Sequence, residues 1–316
     1  EHIDFVLENG MNAWALTEHG HMNSFGHAFL HAEKLIKQGV DFKFIPGCEM
    51  YLHPDLDVWH IDHATNAAAK KGDKDALRKL RDDRSRIVTP LTAIYDANED
   101  IENFVVREED EVGLTVENED ESKANKFNDP VKRRHHLVVL PKTSIGLQRL
   151  FALVSRGYRE GFYRFPRIDF KMLKEAAKGG HLAISSACIA GAPGFEVFKL
   201  AQGTEFNELS HKLLDDKSLL DKAVLGVGNV YQAMVDAVGE ENAFLELQFN
   251  KLGAQHLVNR AIMTFADESG INDKLIVTAD SHYSRPEHWR ERELYKKLGW
   301  LNYKDFDPDK LPKSID

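Results

Sequence analysis

Five short segments hold the residues with chemistry to offer: Thr17-Glu18-His19-Gly20-His21, Pro46-Gly47-Cys48-Glu49, His135-His136, Ser186-Ala187-Cys188 and Ala279-Asp280-Ser281-His282-Tyr283. Histidine, carboxylate and thiolate are the side chains that hold transition metals. His19, Glu49, His136, Cys188, Asp280 and His282 therefore form a candidate donor set, with Glu18 as a candidate partner fixing the ring of His19. Asp280 and His282 are the sharpest pair, because residues two apart in an extended segment point the same way. His21 and His135, beside candidate donors, are open between a role and none. His27, His31, His53, His60, His63, His181, His211 and His256 fall outside these segments and are assigned no chemistry. Composition and spacing alone reach a metal-dependent hydrolase and no further.

Each segment but one follows an apolar, β-rich run. Ala13–Leu16 reads as a strand, followed by a helix with Ser24 as N-cap, Phe25, Phe29, Leu35 and Ile36 on one side, and Gly39 as its stop. Phe42–Ile45 reads as a strand closed by Pro46-Gly47. Leu137–Leu140 is a strand and Ile145–Val154 a helix; Leu182–Ser185 is a strand, with a helix from Gly194 to Ala201. Phe244–Leu247 leads into a helix from Ala254 to Glu268, and Leu275–Thr278 into a final helix at Pro286–Leu298. Strand-then-helix units in series predict a parallel β/α fold. A closed barrel is favoured over an open sheet because no glycine-rich phosphate fingerprint follows the early strands. Barrel strand ends converge on one face, so donors far apart in sequence can meet there. His135-His136 is the exception, since it opens its strand rather than following it.

The 316 residues are 42 % hydrophobic and 29 % charged, which excludes collagen-like repeats and wholesale disorder. No apolar run approaches the length of a membrane helix, and Cys48 and Cys188 cannot build a disulfide framework, so a reducing, cytoplasmic setting is expected. The net charge of -10 would argue against nucleic acid. The charge is not evenly spread, however. Between Asp96 and Glu121 stand twelve acids and one base, Arg107, so the rest of the chain carries a net +1. Residues 54–130 are expected to be an acidic insertion with a helix from Lys74 to Arg86, partly disordered around 107–128.

Taken together, the segments resemble the polymerase-and-histidinol-phosphatase (PHP) domain, in the version found in bacterial and phage DNA polymerase III alpha subunits. Ala15-Leu16-Thr17-Glu18-His19-Gly20-His21-Met22 is similar to the family's A-L-T-D-H-G-N-M, and Ile45-Pro46-Gly47-Cys48-Glu49-Met50-Tyr51 to its I-x-G-x-E-x-Y. His136-Leu137-Val138-Val139-Leu140 resembles H-L-x-L-L; Gly161-Phe162-Tyr163-Arg164-Phe165-Pro166-Arg167-Ile168-Asp169 resembles G-F-Y-x-x-P-R-I-D. Ser185-Ser186-Ala187-Cys188, Phe244-Leu245-Glu246-Leu247-Gln248 and Asp280-Ser281-His282-Tyr283 resemble L-S-A-C, Y-L-E-L-Q and D-x-H-Y.

The resemblance implies a distorted seven-stranded, TIM-like β/α barrel over 1–53 and 131–300, with 301–316 starting a linker to polymerase domains. It implies up to three divalent ions, zinc or manganese, with His19, Glu49, His136, Cys188, Asp280 and His282 among nine family ligands. The remaining ligands belong to a first strand that this chain is expected to lack, beginning inside the first helix. Glu18 stands where the family has Asp. The implied activity is 3′–5′ exonuclease action on a DNA primer 3′ end, with Arg164 and Arg167 contacting the strand. Implied partners are the rest of the polymerase chain and replisome subunits, not a membrane. A structural barrel without catalysis and a free-standing phosphatase of the same superfamily are the alternatives. No palm carboxylates are expected, so this chain alone should not polymerise DNA.

Overall fold

The computed structural model describes residues 1–86, 134–201 and 208–300, with the side chains of 296–300 left aside. The expected disorder around 107–128 and the linker at 301–316 lie outside the described residues.

Seven strands form one curled, half-barrel sheet: β1 (Ala13–His19), β2 (Lys43–Leu52), β3 (His135–Pro141), β4 (Arg167–Ile168), β5 (Leu182–Ser185), β6 (Ala243–Gln248) and β7 (Leu275–Thr278). Their order is β1-β2-β3-β5-β6-β7, with β4 pairing beside the end of β2. The architecture is α/β, a distorted TIM-like barrel. Ten helices accompany it among the described residues: α1 (His2–Glu8), α2 (Phe25–Lys37), α3 (Leu56–Lys71), α4 (Lys74–Arg86), α5 (Ser144–Glu160), α6 (Phe170–Ala177), α7 (Ala192–Phe198), α8 (Lys217–Val238), α9 (Gly253–Ser269) and α10 (Trp289–Trp300).

The sheet is not wholly parallel, as the serial strand–helix units had suggested. β3 runs antiparallel to both β2 and β5. The reversal explains the one segment that precedes its strand: His135 and His136 lie opposite Leu52 and Tyr51, at the end of the sheet where the other strands finish. β2 also continues through Pro46-Gly47 to Leu52 instead of stopping there. Proline is tolerated within a strand at positions that need no ladder donor. Gly47 is needed because a Cβ there would meet Thr17 Cγ2 at 2.9 Å and the Val139 carbonyl oxygen at 3.1 Å.

Strand periodicity sorts side chains between the helix-covered core and the barrel interior. On β2, Cys48, Met50 and Leu52 enter the core, as do Leu137 and Val139 of β3, Ile184 of β5 and Leu245 of β6. The alternate residues Glu49, Ser185 and Glu246 face an interior cavity. The helices close the outside of the core. Thr143 caps α5 by accepting from the Gly146 N–H, and Leu150 and Leu153 of α5 are buried. α8, capped by Asp216, buries Val227, Val230 and Met234.

α2 departs from expectation in detail. Ser24 makes no side-chain cap, and Phe29 and Ile36 are exposed, while Ala32 is buried with Ile3, Val6 and Phe42 in a small second core. α3, the first part of the segment after Pro54, sends Leu56 and Trp59 into the main core. Its start is fixed twice: Asp55 accepts from the N–H groups of Asp57 and Val58, and Asp169 accepts from that of Leu56.

Candidate metal centre

The register places His19, the last residue of β1, beside Glu49 of β2. His136 projects from the start of the reversed β3 to the same point. Ligand atoms of these three side chains all lie within 4.8 Å of one another. Glu49 Oε1 is 2.5 Å from His136 Nδ1, and Glu49 Oε2 is 3.6 Å from His19 Nε2. The carboxylate thus lies between two imidazoles while only 5 % exposed. Imidazole and carboxylate groups held this closely could hold a metal ion.

The remaining candidates surround this group. Cys188 Sγ is 3.8 Å from Glu49 Oε1 and 3.7 Å from His136 Nδ1. The rings of His19 and His282 are 5.5 Å apart, and Asp280 and His282 line the same interior cavity of about 560 Å³. Asp280 and His282 do not sit on an extended segment, as had been expected. Asp280 has φ 50°, and His282 Nδ1 lies 2.8 Å from the Asp280 carbonyl oxygen, so the chain turns sharply after β7. Ala187, just before Cys188, is also left-handed at φ 57°. Such conformations cost a non-glycine residue about 1–3 kcal/mol and persist where the surroundings enforce them.

Glu18 has a different occupation from the one expected. Its carboxylate accepts from both the N–H and the hydroxyl of Ser24 at 2.9 and 2.8 Å, anchoring the start of α2, and lies 3.5 Å from His21 Nδ1. His135 projects to the opposite side of β3 from His136 and packs on Phe195. Arg164 and Arg167, expected together at a strand-binding surface, separate. Arg164 is exposed on the rim of an outer cavity of about 940 Å³ that opens beside His19 and His282. Arg167 is 1 % exposed, its guanidinium 4.4 Å over the Trp59 ring and its Nε donating to the Gly161 carbonyl at 3.0 Å, so no strand reaches it.

Two residues at the cavity carried no assignment from sequence. Tyr51, two residues beyond Glu49, places its ring 5.2 Å from that of His136 and 6.4 Å from that of His19. Glu246 lies in the interior cavity at 5 % exposure, and burial pushes its carboxyl above the usual range. The signal for both was strand parity: each shares a strand face with a residue turned inward.

The two cysteines differ in kind. Cys48 is fully buried, its Sγ donating to the carbonyls of Glu18 and His21 at 3.3 and 3.4 Å, and burial pushes its thiol up. Iodoacetamide under native conditions is therefore expected to label Cys188, which is partly exposed, and to leave Cys48 unmodified. Peptide mass mapping reads the result, and equal labelling of the two would refute the assignment of Cys48 to the core.

A sequence-family model described as the PHP domain matches residues 1–250. DNA polymerase III subunit alpha of Aquifex aeolicus is 30 % identical over 166 residues, 52 % of this chain and 12 % of that protein. The same subunit of Campylobacter jejuni is 26 % identical over 185 residues, 58 % of this chain and 14 % of that protein. That of Thermus aquaticus is 31 % identical over 159 residues, 50 % of this chain and 11 % of that protein. The chain thus spans only 11 to 14 % of the length of these curated relatives. No helix among the described residues is long and apolar enough to cross a membrane.

Proposed function

The chain belongs to the PHP domain family, and from that premise we propose that it serves DNA replication as the PHP part of a polymerase III alpha subunit, removing nucleotides from a primer 3′ end. The observation that carries this is the convergence of His19, Glu49 and His136 from three strands, with Cys188, Asp280 and His282 around the same cavity. A divalent ion, zinc or manganese, held there would activate water and neutralise charge on a phosphoester.

The chain's own residues supply the rest. Glu49 is the anionic member of the tight group and keeps both imidazoles oriented toward it. Tyr51 walls the group against water on one side, with Phe165 packed behind it at 4.9 Å between ring centroids. Outside, the larger cavity presents Arg164 beside Phe162, Phe165 and Tyr283. A guanidinium for phosphate and aromatic faces for bases are the parts a single-strand groove uses.

In this proposal, residues 1–53 and 131–300 form the barrel and 54–130 an insertion whose leading helix, α3, docks on the barrel core. The remainder of the polymerase and other replisome subunits are the partners, in the cytoplasm.

The test is release of labelled 3′ nucleotides from a mismatched primer in the presence of manganese or zinc. Release should be metal-dependent and fall to background when Asp280→Ala is combined with His282→Ala. Release that survives the double substitution would refute the metal-nuclease proposal. Hydrolysis of a small phosphate monoester but not of DNA would replace primer trimming with small-molecule phosphatase action.

A further inference from the structure

Glu246 stands on β6 between the two strand ends that carry Cys188 and the Asp280–His282 turn. Every acceptor it offers is directed at one or the other. Its Oε1 accepts from the Ser185 hydroxyl, and its Oε2 accepts from the Thr278 hydroxyl at 2.6 Å. The Ala187 N–H also donates to the carboxylate, while the N–H of Glu246 itself donates to the Ser186 hydroxyl at 2.9 Å. The buried carboxylate thereby grips Ser185 and Ala187 on one side and the last residue of β7 on the other, while the main-chain N–H of Glu246 holds Ser186.

These grips fall beside the two left-handed residues of the cavity. Ala187 at φ 57° turns the chain so that the next residue, Cys188, faces Glu49 and His136. Asp280 at φ 50°, two residues past Thr278, turns His282 toward His19. Among the described residues only Arg164 is a further non-glycine with positive φ. Neither turn has a glycine to make it free of strain, so each needs an external tether. Thr278 is fixed in its role by accepting from Gln248 Nε2 at 3.4 Å, which leaves its own proton for Glu246.

We infer that Glu246 is a positioning residue: it fixes, through Ser185–Ala187 and through Thr278, the two turns that bring Cys188 and Asp280–His282 up to His19, Glu49 and His136. The ion-binding arm of its test rests on the proposed metal centre; the thiol arm does not.

Three substitutions separate the grips. Glu246→Gln keeps the shape but offers one acceptor oxygen where two hydroxyls and an N–H require acceptors. Ser185→Ala releases only the Cys188 side, and Thr278→Val only the Asp280 side. In metal-free protein, the rate of Cys188 modification by a disulfide reagent should rise about tenfold in Glu246→Gln and in Ser185→Ala, and stay unchanged in Thr278→Val. Cys48 should remain silent in all three, which shows that the core is intact. Affinity for manganese, read by calorimetry, should fall about 10–100-fold in each, the usual effect of removing a group that orients a ligand.

Cys188 rates and manganese affinities within about twofold of the unsubstituted protein in Glu246→Gln would overturn the inference. If the unsubstituted protein binds no manganese, the metal-centre proposal falls while the Cys188 rates still decide the positioning role. If Glu246→Gln fails to fold, the split between Ser185→Ala and Thr278→Val decides it: a changed Cys188 rate in the first alone supports the role, and equal rates refute it.

Discussion

Glu49→Gln is expected to abolish divalent-ion binding at the barrel interior, with a loss of at least about 100-fold in affinity, since even groups that only orient ligands cost about 10–100-fold. Glu49 is the one anion in the tight group with His19 and His136, and its two oxygens face the two rings at 3.6 and 2.5 Å. Its amide replacement turns a donor NH2 toward one imidazole and removes the negative charge that a divalent cation needs in a site this buried. The effect is read most simply as a thermal shift. An ion at 100 times its dissociation constant stabilises the folded state by about 2.7 kcal/mol. Addition of manganese should therefore raise the Tm of the unsubstituted protein and leave that of Glu49→Gln where it was. His256→Ala, at an exposed helix position outside the cavity, should behave as the unsubstituted protein does. A full manganese-induced shift in Glu49→Gln would mean that ions bind somewhere else.

The second large effect concerns the two arginines of the Gly161–Asp169 segment. Arg167→Ala is expected to destabilise the fold by about 3 kcal/mol or more, through a cavity and an unpaired carbonyl. The guanidinium lies over Trp59 and Tyr163 at 4.4 and 5.5 Å and satisfies the Gly161 carbonyl, so its loss empties a packed site. Burial lowers its pKa to about 10, which still leaves the group charged at neutral pH. The folded-state value lies below the unfolded one, so the cost of burying the charge is present throughout the neutral range and relaxes only above about pH 10. Arg164→Ala should do the reverse. As an exposed residue on the cavity rim it should change stability by no more than about 0.5 kcal/mol. It should weaken single-stranded DNA binding and reduce the salt slope by about one. Urea unfolding and fluorescence anisotropy across a salt series measure the two effects. Equal stability losses from both substitutions would contradict the separation of their roles.

Much of this was legible in the residues, for physical reasons that differ by element. β5 and β7 match their predicted spans, Leu182–Ser185 and Leu275–Thr278, because each is a short apolar run with clear breaks. The grouping of candidate side chains around the cavity was legible because His, Glu, Cys and Asp recurred beside such runs, and parity then sends Glu49 inward while Cys48 enters the core. Strand direction is not written in local pattern, so the reversal of β3 showed only as His136 preceding its strand. α8 carries Gly226 and Gly228 within a valine-rich run, which disguises its 22 residues. Both glycines answer to tertiary packing: a Cβ would meet Glu196 Cβ at 3.0 Å and Phe265 Cε2 at 2.9 Å. The turns at Ala187 and Asp280 were hidden for the opposite reason, since no glycine announces a left-handed residue there. Arg167 looked like a surface cation because burial of a guanidinium depends on Trp59, which is far away in sequence and arrives on α3.

The most direct measurement is anomalous diffraction from crystals soaked in manganese. A peak coordinated by His19, Glu49 and His136 is the expected result, lost in crystals of Glu49→Gln. Manganese peaks confined to other parts of the protein, with none among these three side chains, would contradict the central claim that the barrel interior is a metal centre.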